Sequence, residues 1–151
     1  MKNVMKLKFS ALSENEAFAR NAVAAFCVGL DPTIDQINDI KTAVSEAVTN
    51  SIVHAYAPNS QDNFVEIETE IEDDTVHIVI SDNGVGIEDI ERAMQPFYTT
   101  KPEQERSGMG FTVMESFTDK LTVEKNTPTG TIVSMTKSIR GADWKKKKHS
   151  I

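Results

Sequence analysis

The 151 residues are one domain's worth of chain, 39% hydrophobic and 26% charged, a balance that excludes a disordered polymer and allows a real core. The formal net charge of -7 is uneven: from Arg140 onward five Lys/Arg stand against one Asp, so the body is more acidic than the whole and lacks the basic face that sequence-independent nucleic-acid binding needs. A lone cysteine excludes an internal disulfide, no leader-like segment opens the chain, and the apolar run 22–30 is too short to span a bilayer, so the expectation is a cytoplasmic protein with no membrane or direct nucleic-acid partner.

In chain order, residues 5–9 alternate apolar and polar and predict a short strand. Ser13 and Glu16 form a capping-box pattern for the helix that follows. That helix is expected to bury Phe18, Ala22, Ala25 and Phe26. It leaves Glu14, Glu16 and Arg20 outside, with Glu16 and Arg20 as an i,i+4 pair. Cys27, among small and apolar neighbours, reads as a buried thiol. Asp31-Pro32-Thr33 stops the chain and restarts it as a long helix, capped by Asp31 or Thr33 and running to about Tyr56. Residues 57–60 are a turn cluster. Two alternating segments, 64–70 and 75–81, joined through Glu72-Asp73-Asp74, predict a β-hairpin. The second runs straight into Asp82-Asn83-Gly84-Val85-Gly86, and residues 87–95 carry a short helical pattern. After the irregular stretch 96–107, Gly108-Met109-Gly110 opens a helix to about Thr118. Segments 121–124 and 131–137 close the domain as a second hairpin, turned at 126–130. The predicted fold class is α+β, a two-layer sandwich with helices packed on one face of a mixed, mostly antiparallel sheet. The domain is placed at 1–139, and 140–151 reads as a basic, solvated tail, since four consecutive lysines repel one another.

Three stretches carry chemistry. In VSEAVTNSIVHAY, residues 44–56, Glu46, Asn50 and His54 are spaced by four. At about 100° per residue they share one stripe of the helix, while Ile37, Ile40, Val44, Val48 and Ser51 gather on another. One flank therefore packs, and the next offers a proton acceptor beside an oxygen ligand for a hard cation. In DNGVG the glycines permit close approach to the backbone. The Asp82 carboxylate is suited to accept a hydrogen bond from the exocyclic amine of adenine. Guanine puts an oxygen at that place and leaves a buried acceptor unpaired, at a cost of about 1–3 kcal/mol. Ser107-Gly108-Met109-Gly110 precedes a helix whose bare N–H groups and dipole favour an anion, and Lys101 and Arg106 add positive charge just before it. Phe97, in QPFYTTK, either closes that loop over a ligand or packs its base.

Together, in this order, these segments resemble the histidine-kinase-like ATPase family (the Bergerat fold, shared by gyrase B and sensor kinases). The asparagine box matches at Glu46, Asn50 and His54, and the first glycine box at Asp82, Gly84 and Gly86. The phenylalanine box matches at Phe97 and the second glycine box at Gly108 and Gly110. Within that family, VSEAVTNSIVHAY, SDNGVG and QPFYTTKPEQERSGMGFTVME are similar to the anti-sigma serine-protein kinases of spore-forming bacteria. The resemblance implies ATP and Mg2+ as cofactors, Glu46 as general base, Asn50 as magnesium ligand, Asp82 on the adenine amine and Thr131 behind the base. His54, Gly84, Gly86, Phe97, Thr99, Lys101, Arg106, Ser107, Gly108, Met109, Gly110 and Phe111 complete the implied nucleotide set. It further implies a sporulation sigma factor that is bound and inhibited, an anti-anti-sigma partner phosphorylated on serine, and a homodimer. Neither the histidine-bearing dimerisation domain of sensor kinases nor the transducer of gyrase-type ATPases has room here. An open first strand is able to pair across a two-fold axis, and Glu14, Glu16 and Arg20 form a candidate docking face. The residues alone do not separate a serine hydroxyl from water as phosphoryl acceptor. A plain ATPase and a nucleotide-gated binding module are therefore the rival readings.

Overall fold

In the computed structural model, residues 2–56, 62–95 and 110–139 are described. Alternating side chains build the frame. Strands β1 (Lys2–Ser10), β2 (Phe64–Glu72), β3 (Thr75–Asp82), β4 (Lys120–Lys125) and β5 (Thr131–Ser138) form, among these residues, one sheet in the order β1-β2-β3-β5-β4. Every pairing among them is antiparallel, and β1 and β4 are the edges. The pleat sends Val65, Ile67, Thr69 and Ile71 of β2, and Val76, Ile78, Ile80 and Asp82 of β3, to the buried side. Asp73, at φ 55°, makes the left-handed turn between them, a conformation that aspartate tolerates.

Three helices cover the buried side of the sheet. Helix α1 (Asn15–Cys27) packs on α2 (Ile34–Asn50), and α4 (Gly110–Ser116) packs on α2 as well. Helix α2 starts where it does because Thr33 Oγ1 accepts from the Gln36 N–H at 3.1 Å while Gln36 Oε1 accepts from the Thr33 N–H at 2.9 Å. Of the two expected caps, Thr33 is the one used. The Gln36 amide also donates to the Ile139 carbonyl, tying the start of α2 to the end of β5. The core is Ile40, Val44 and Val48 of α2, Val23 and Cys27 of α1, Met114 of α4, and Ile67, Ile80 and Met135 of the sheet. Each such fully buried apolar side chain is worth about 1.5–3 kcal/mol.

Three expectations are corrected. The start of α1 is capped by Glu14, with no side-chain hydrogen bond, so the Ser13–Glu16 capping box does not form. Instead the Glu16 N–H reaches the Ser13 carbonyl and the Glu16 carboxylate turns to Arg20. The fully buried residues of α1 are Ala19, Val23, Ala24 and Cys27; of the expected Phe18, Ala22, Ala25 and Phe26, Phe26 packs half-buried against the core and Ala22 is half-buried, while Ala25 is exposed and Phe18 is 56% exposed. The inward stripe is shifted by one residue, about 100° round the helix, so that Ala19, Val23 and Cys27 take the place expected of Phe18, Ala22 and Phe26. The helical pattern at 87–95 condenses to one turn, α3 (Ile90–Ala93), because Asp89 accepts from the Arg92 N–H at 3.1 Å and starts the helix late.

Cys27 is fully buried, and burial pushes its thiol up from 9.0 to about 11. The folded state therefore holds the thiol proton more tightly than the unfolded chain does. The associated stability is complete below pH 9.0 and is lost as pH rises toward about 11. A maleimide is expected to leave Cys27 unmodified in the native protein at neutral pH and to label it fully in denaturant; rapid native labelling would contradict the burial.

Candidate functional site

Asp82 is the last residue of β3 and takes the next inward place after Val76, Ile78 and Ile80, so the strand period itself carries a carboxylate inside. It is 4% exposed. Oδ1 accepts from the Gly84 N–H at 3.1 Å and the Thr131 N–H at 3.2 Å, and Oδ2 accepts from Ser51 Oγ at 3.0 Å. Burial pushes the carboxyl above its usual 3.8, and these three donors pull it back. A carboxylate offers about four lone-pair directions, so one remains for a ligand.

Past Asp82 the chain leaves the ladder, and its backbone is held by side chains. The Asn83 N–H donates to the Tyr56 hydroxyl at 3.0 Å, and that hydroxyl donates to the Phe64 carbonyl at 2.7 Å. Asn126 Nδ2 donates to the Asp82 carbonyl at 2.8 Å. Helix α2 widens after Asn50 into a π turn, Ser51–Ala55, which buries Ser51 and Ala55. The Ala55 carbonyl accepts from the Val85 N–H at 2.8 Å. Gly84 is pressed so closely on that turn that a Cβ there would lie 2.1 Å from the Ala55 oxygen. Gly84 is thus required by chain-on-chain packing.

These segments enclose a cavity of about 980 Å³, well sized for a nucleotide. Asn50, Ser51 and His54 at the end of α2, Asp82 and Gly86, Gly110 and Phe111 of α4, and Thr131 of β5 all line it. The family model of the histidine kinase-like ATPase domain matches residues 9–137. The chain belongs to this family. It is 60% identical over 135 residues to the Anti-sigma F factor of Clostridium beijerinckii, covering 89% of this chain and 94% of that protein. The Anti-sigma F factor of Geobacillus kaustophilus is 57% identical over 139 residues, covering 92% and 94%. Among solved structures, a Mycobacterium tuberculosis protein with RsbU and RsbW domains superposes with TM-score 0.62 at 17% identity, over 91% of this chain and 32% of that one. The catalytic domain of histidine kinase ThkA gives TM-score 0.55 at 17% identity, over 89% and 96%. At that identity the two structures share the fold alone.

A histidine kinase-like ATPase domain uses ATP, and its expected residues sort into three groups. Asn50, His54, Asp82, Gly86, Gly110, Phe111 and Thr131 line the cavity. Glu46 stands one helical turn before Asn50 on the same stripe and, like Gly84, does not line the cavity. Phe97, Thr99, Lys101, Arg106, Ser107, Gly108 and Met109 lie outside the described residues, as does the tail 140–151. Glu14, Glu16 and Arg20 sit at the start of α1, where Arg20 Nη1 reaches both Glu16 carboxylate oxygens at 2.8 and 2.6 Å. Among the described residues, no helix is long and apolar enough to cross a membrane, and no three His, Cys, Asp or Glu form a metal cluster.

Not expected from the sequence were Ser51, Asn126 and Gly130, which line the cavity, and Tyr56, which holds the backbone beside it. Ser51 had a legible signal, a lone hydroxyl on an otherwise apolar stripe. Gly130 had none: its φ of +107°, and the 2.0 Å that would separate a Cβ from the Asp82 carbonyl, arise only when β5 meets β3.

Proposed function

We propose that this domain is a Mg·ATP-dependent serine-protein kinase that is also an anti-sigma factor. In this reading it binds and inhibits a sporulation sigma factor and phosphorylates a serine of an anti-anti-sigma partner, acting as a homodimer. What carries the reading is the convergence of Asn50, Asp82, Gly110 and Thr131, from four separate stretches of chain, on one cavity. The anti-sigma half is supported by similarity to Anti-sigma F factors over nearly the whole of both chains.

Asp82 would accept from the adenine amine, Thr131 would back the base, and Asn50 and Gly110 would hold the triphosphate end. The Asn50 amide oxygen suits Mg2+, which keeps few protein ligands and takes the rest from phosphate and water. When bound, the ion neutralises phosphate charge. Glu46 orients the acceptor hydroxyl and takes its proton as the phosphoryl group leaves ADP for the serine oxygen. Lys101, Arg106 and the 107–109 backbone are read as the cations and N–H donors at the terminal phosphate.

The test is incubation with ATP labelled at the γ-phosphate and candidate partner domains. Label on a partner serine supports the kinase, and free phosphate alone supports a plain ATPase. The absence of Glu46 from the cavity lining favours a second reading, a nucleotide-gated binding module, for which tight ATP binding with neither product is the signature.

In this reading Glu14, Glu16 and Arg20 form the docking face, with the Arg20 and Glu16 side chains 37% and 18% exposed. Arg20→Glu is expected to weaken partner capture about tenfold or more and to leave ATP affinity unchanged. Calorimetric titration of both ligands checks this, and undiminished capture would remove α1 from the docking surface.

A further inference from the structure

The connection between β4 and β5 is a strap over the end of β3, and one residue in it fastens both ends. The Asn126 N–H donates to the Gly130 carbonyl at 3.0 Å and closes the strap. Its side-chain Nδ2 donates to the Asp82 carbonyl at 2.8 Å and approaches Asn83 Oδ1 at 3.4 Å. Its Oδ1 accepts from the Thr127 N–H at 2.8 Å, so the amide has one orientation. Directly after the strap comes the Thr131 N–H, one of the two donors on Asp82 Oδ1. Thr129 Oγ1 adds a bond to the Asn83 carbonyl at 3.3 Å.

We infer that Asn126 is a positioning residue for the base-binding carboxylate, acting through the strap to set purine selectivity. The inference rests on the adenine role of Asp82 proposed above. A carboxylate discriminates an amine from a keto oxygen only while its open lone pair is held in one direction. The Asp82 backbone is gripped at its carbonyl by Asn126, and its Oδ1 by a strand whose entry Asn126 also fixes. Releasing the strap lets Thr131 and the carboxylate move together, and the base loses its fixed acceptor. The phosphate end, built from Asn50 and Gly110 on other elements, is left as it was.

The test compares ATP and GTP dissociation constants for the full chain with Asn126→Asp and Asn126→Ala, alongside thermal melts. Asn126→Asp keeps the shape but turns a donor into an acceptor facing two oxygens, and Asn126→Ala removes the bond without adding charge. The ATP-over-GTP preference is expected to fall about tenfold in either variant that folds, through weaker ATP binding with GTP binding retained. An unchanged ratio, or parallel loss of both nucleotides in the variant that folds, overturns the role of Asn126. A wild-type chain that binds ATP no better than GTP overturns the adenine reading itself.

Discussion

Glu46→Gln is expected to lower phosphoryl transfer to the partner about 10²–10⁴-fold while ATP still binds. Glu46 is half-buried on α2, one turn of about 5.4 Å before Asn50 and on the same face. Under the proposed kinase reading this carboxylate, one turn from a residue that lines the cavity, is the group that takes the proton of the incoming hydroxyl. Glutamine keeps the length and the hydrogen-bonding capacity of the side chain but takes no proton. A purely structural Glu46 would lose stability and nucleotide affinity together; a catalytic one loses turnover with Michaelis constant and melting temperature nearly unchanged. Transfer at the wild-type rate in Glu46→Gln would end the assignment.

Asp82→Asn separates binding from folding in the opposite way. The amide retains an oxygen for the Gly84 and Thr131 N–H groups, and its NH₂ turns toward Ser51 Oγ and the cavity. A donor then faces the adenine amine, also a donor, and ATP affinity is expected to fall about 10–100-fold while the preference over GTP shrinks. Stability moves the other way. Burial raises the folded-state Asp82 carboxyl above 3.8, so its ionisation works against the fold at neutral pH. The wild type regains that stability as pH falls through the raised value and has it in full below 3.8. Asp82→Asn is accordingly expected to melt at or above the wild-type temperature at neutral pH, with the advantage gone in acid. A large loss of stability at neutral pH, with ATP affinity intact, would show that Asp82 serves the fold and not the ligand.

A buried carboxylate in an apolar place is what marks the candidate site in the sequence. A strand that reads apolar at Val76, Ile78 and Ile80 and then puts aspartate in the same inward place departs from its own pattern, and the departure is visible without coordinates. The long helix, the β2–β3 hairpin and the element order were legible for the same reason: period and turn chemistry are local properties. The face of α1 was not. Both of its candidate stripes are apolar, and only packing against α2 and the sheet turned Ala19, Val23 and Cys27 inward in place of Phe18 and Ala22.

By itself the sequence determined which residues could do chemistry and in what order they come: Glu46, Asn50 and His54 on one helical stripe, Asp82 before its glycines, Gly110 at a helix start. The tertiary structure alone decided what holds them. Ser51, Asn126 and Thr131 meet Asp82 across sequence separations of 31, 44 and 49 residues. Gly84 and Gly130 are glycine because Ala55 and Asp82 leave no space for a side chain. Such contacts depend on the distance between packed elements, and no local pattern of residues encodes that distance.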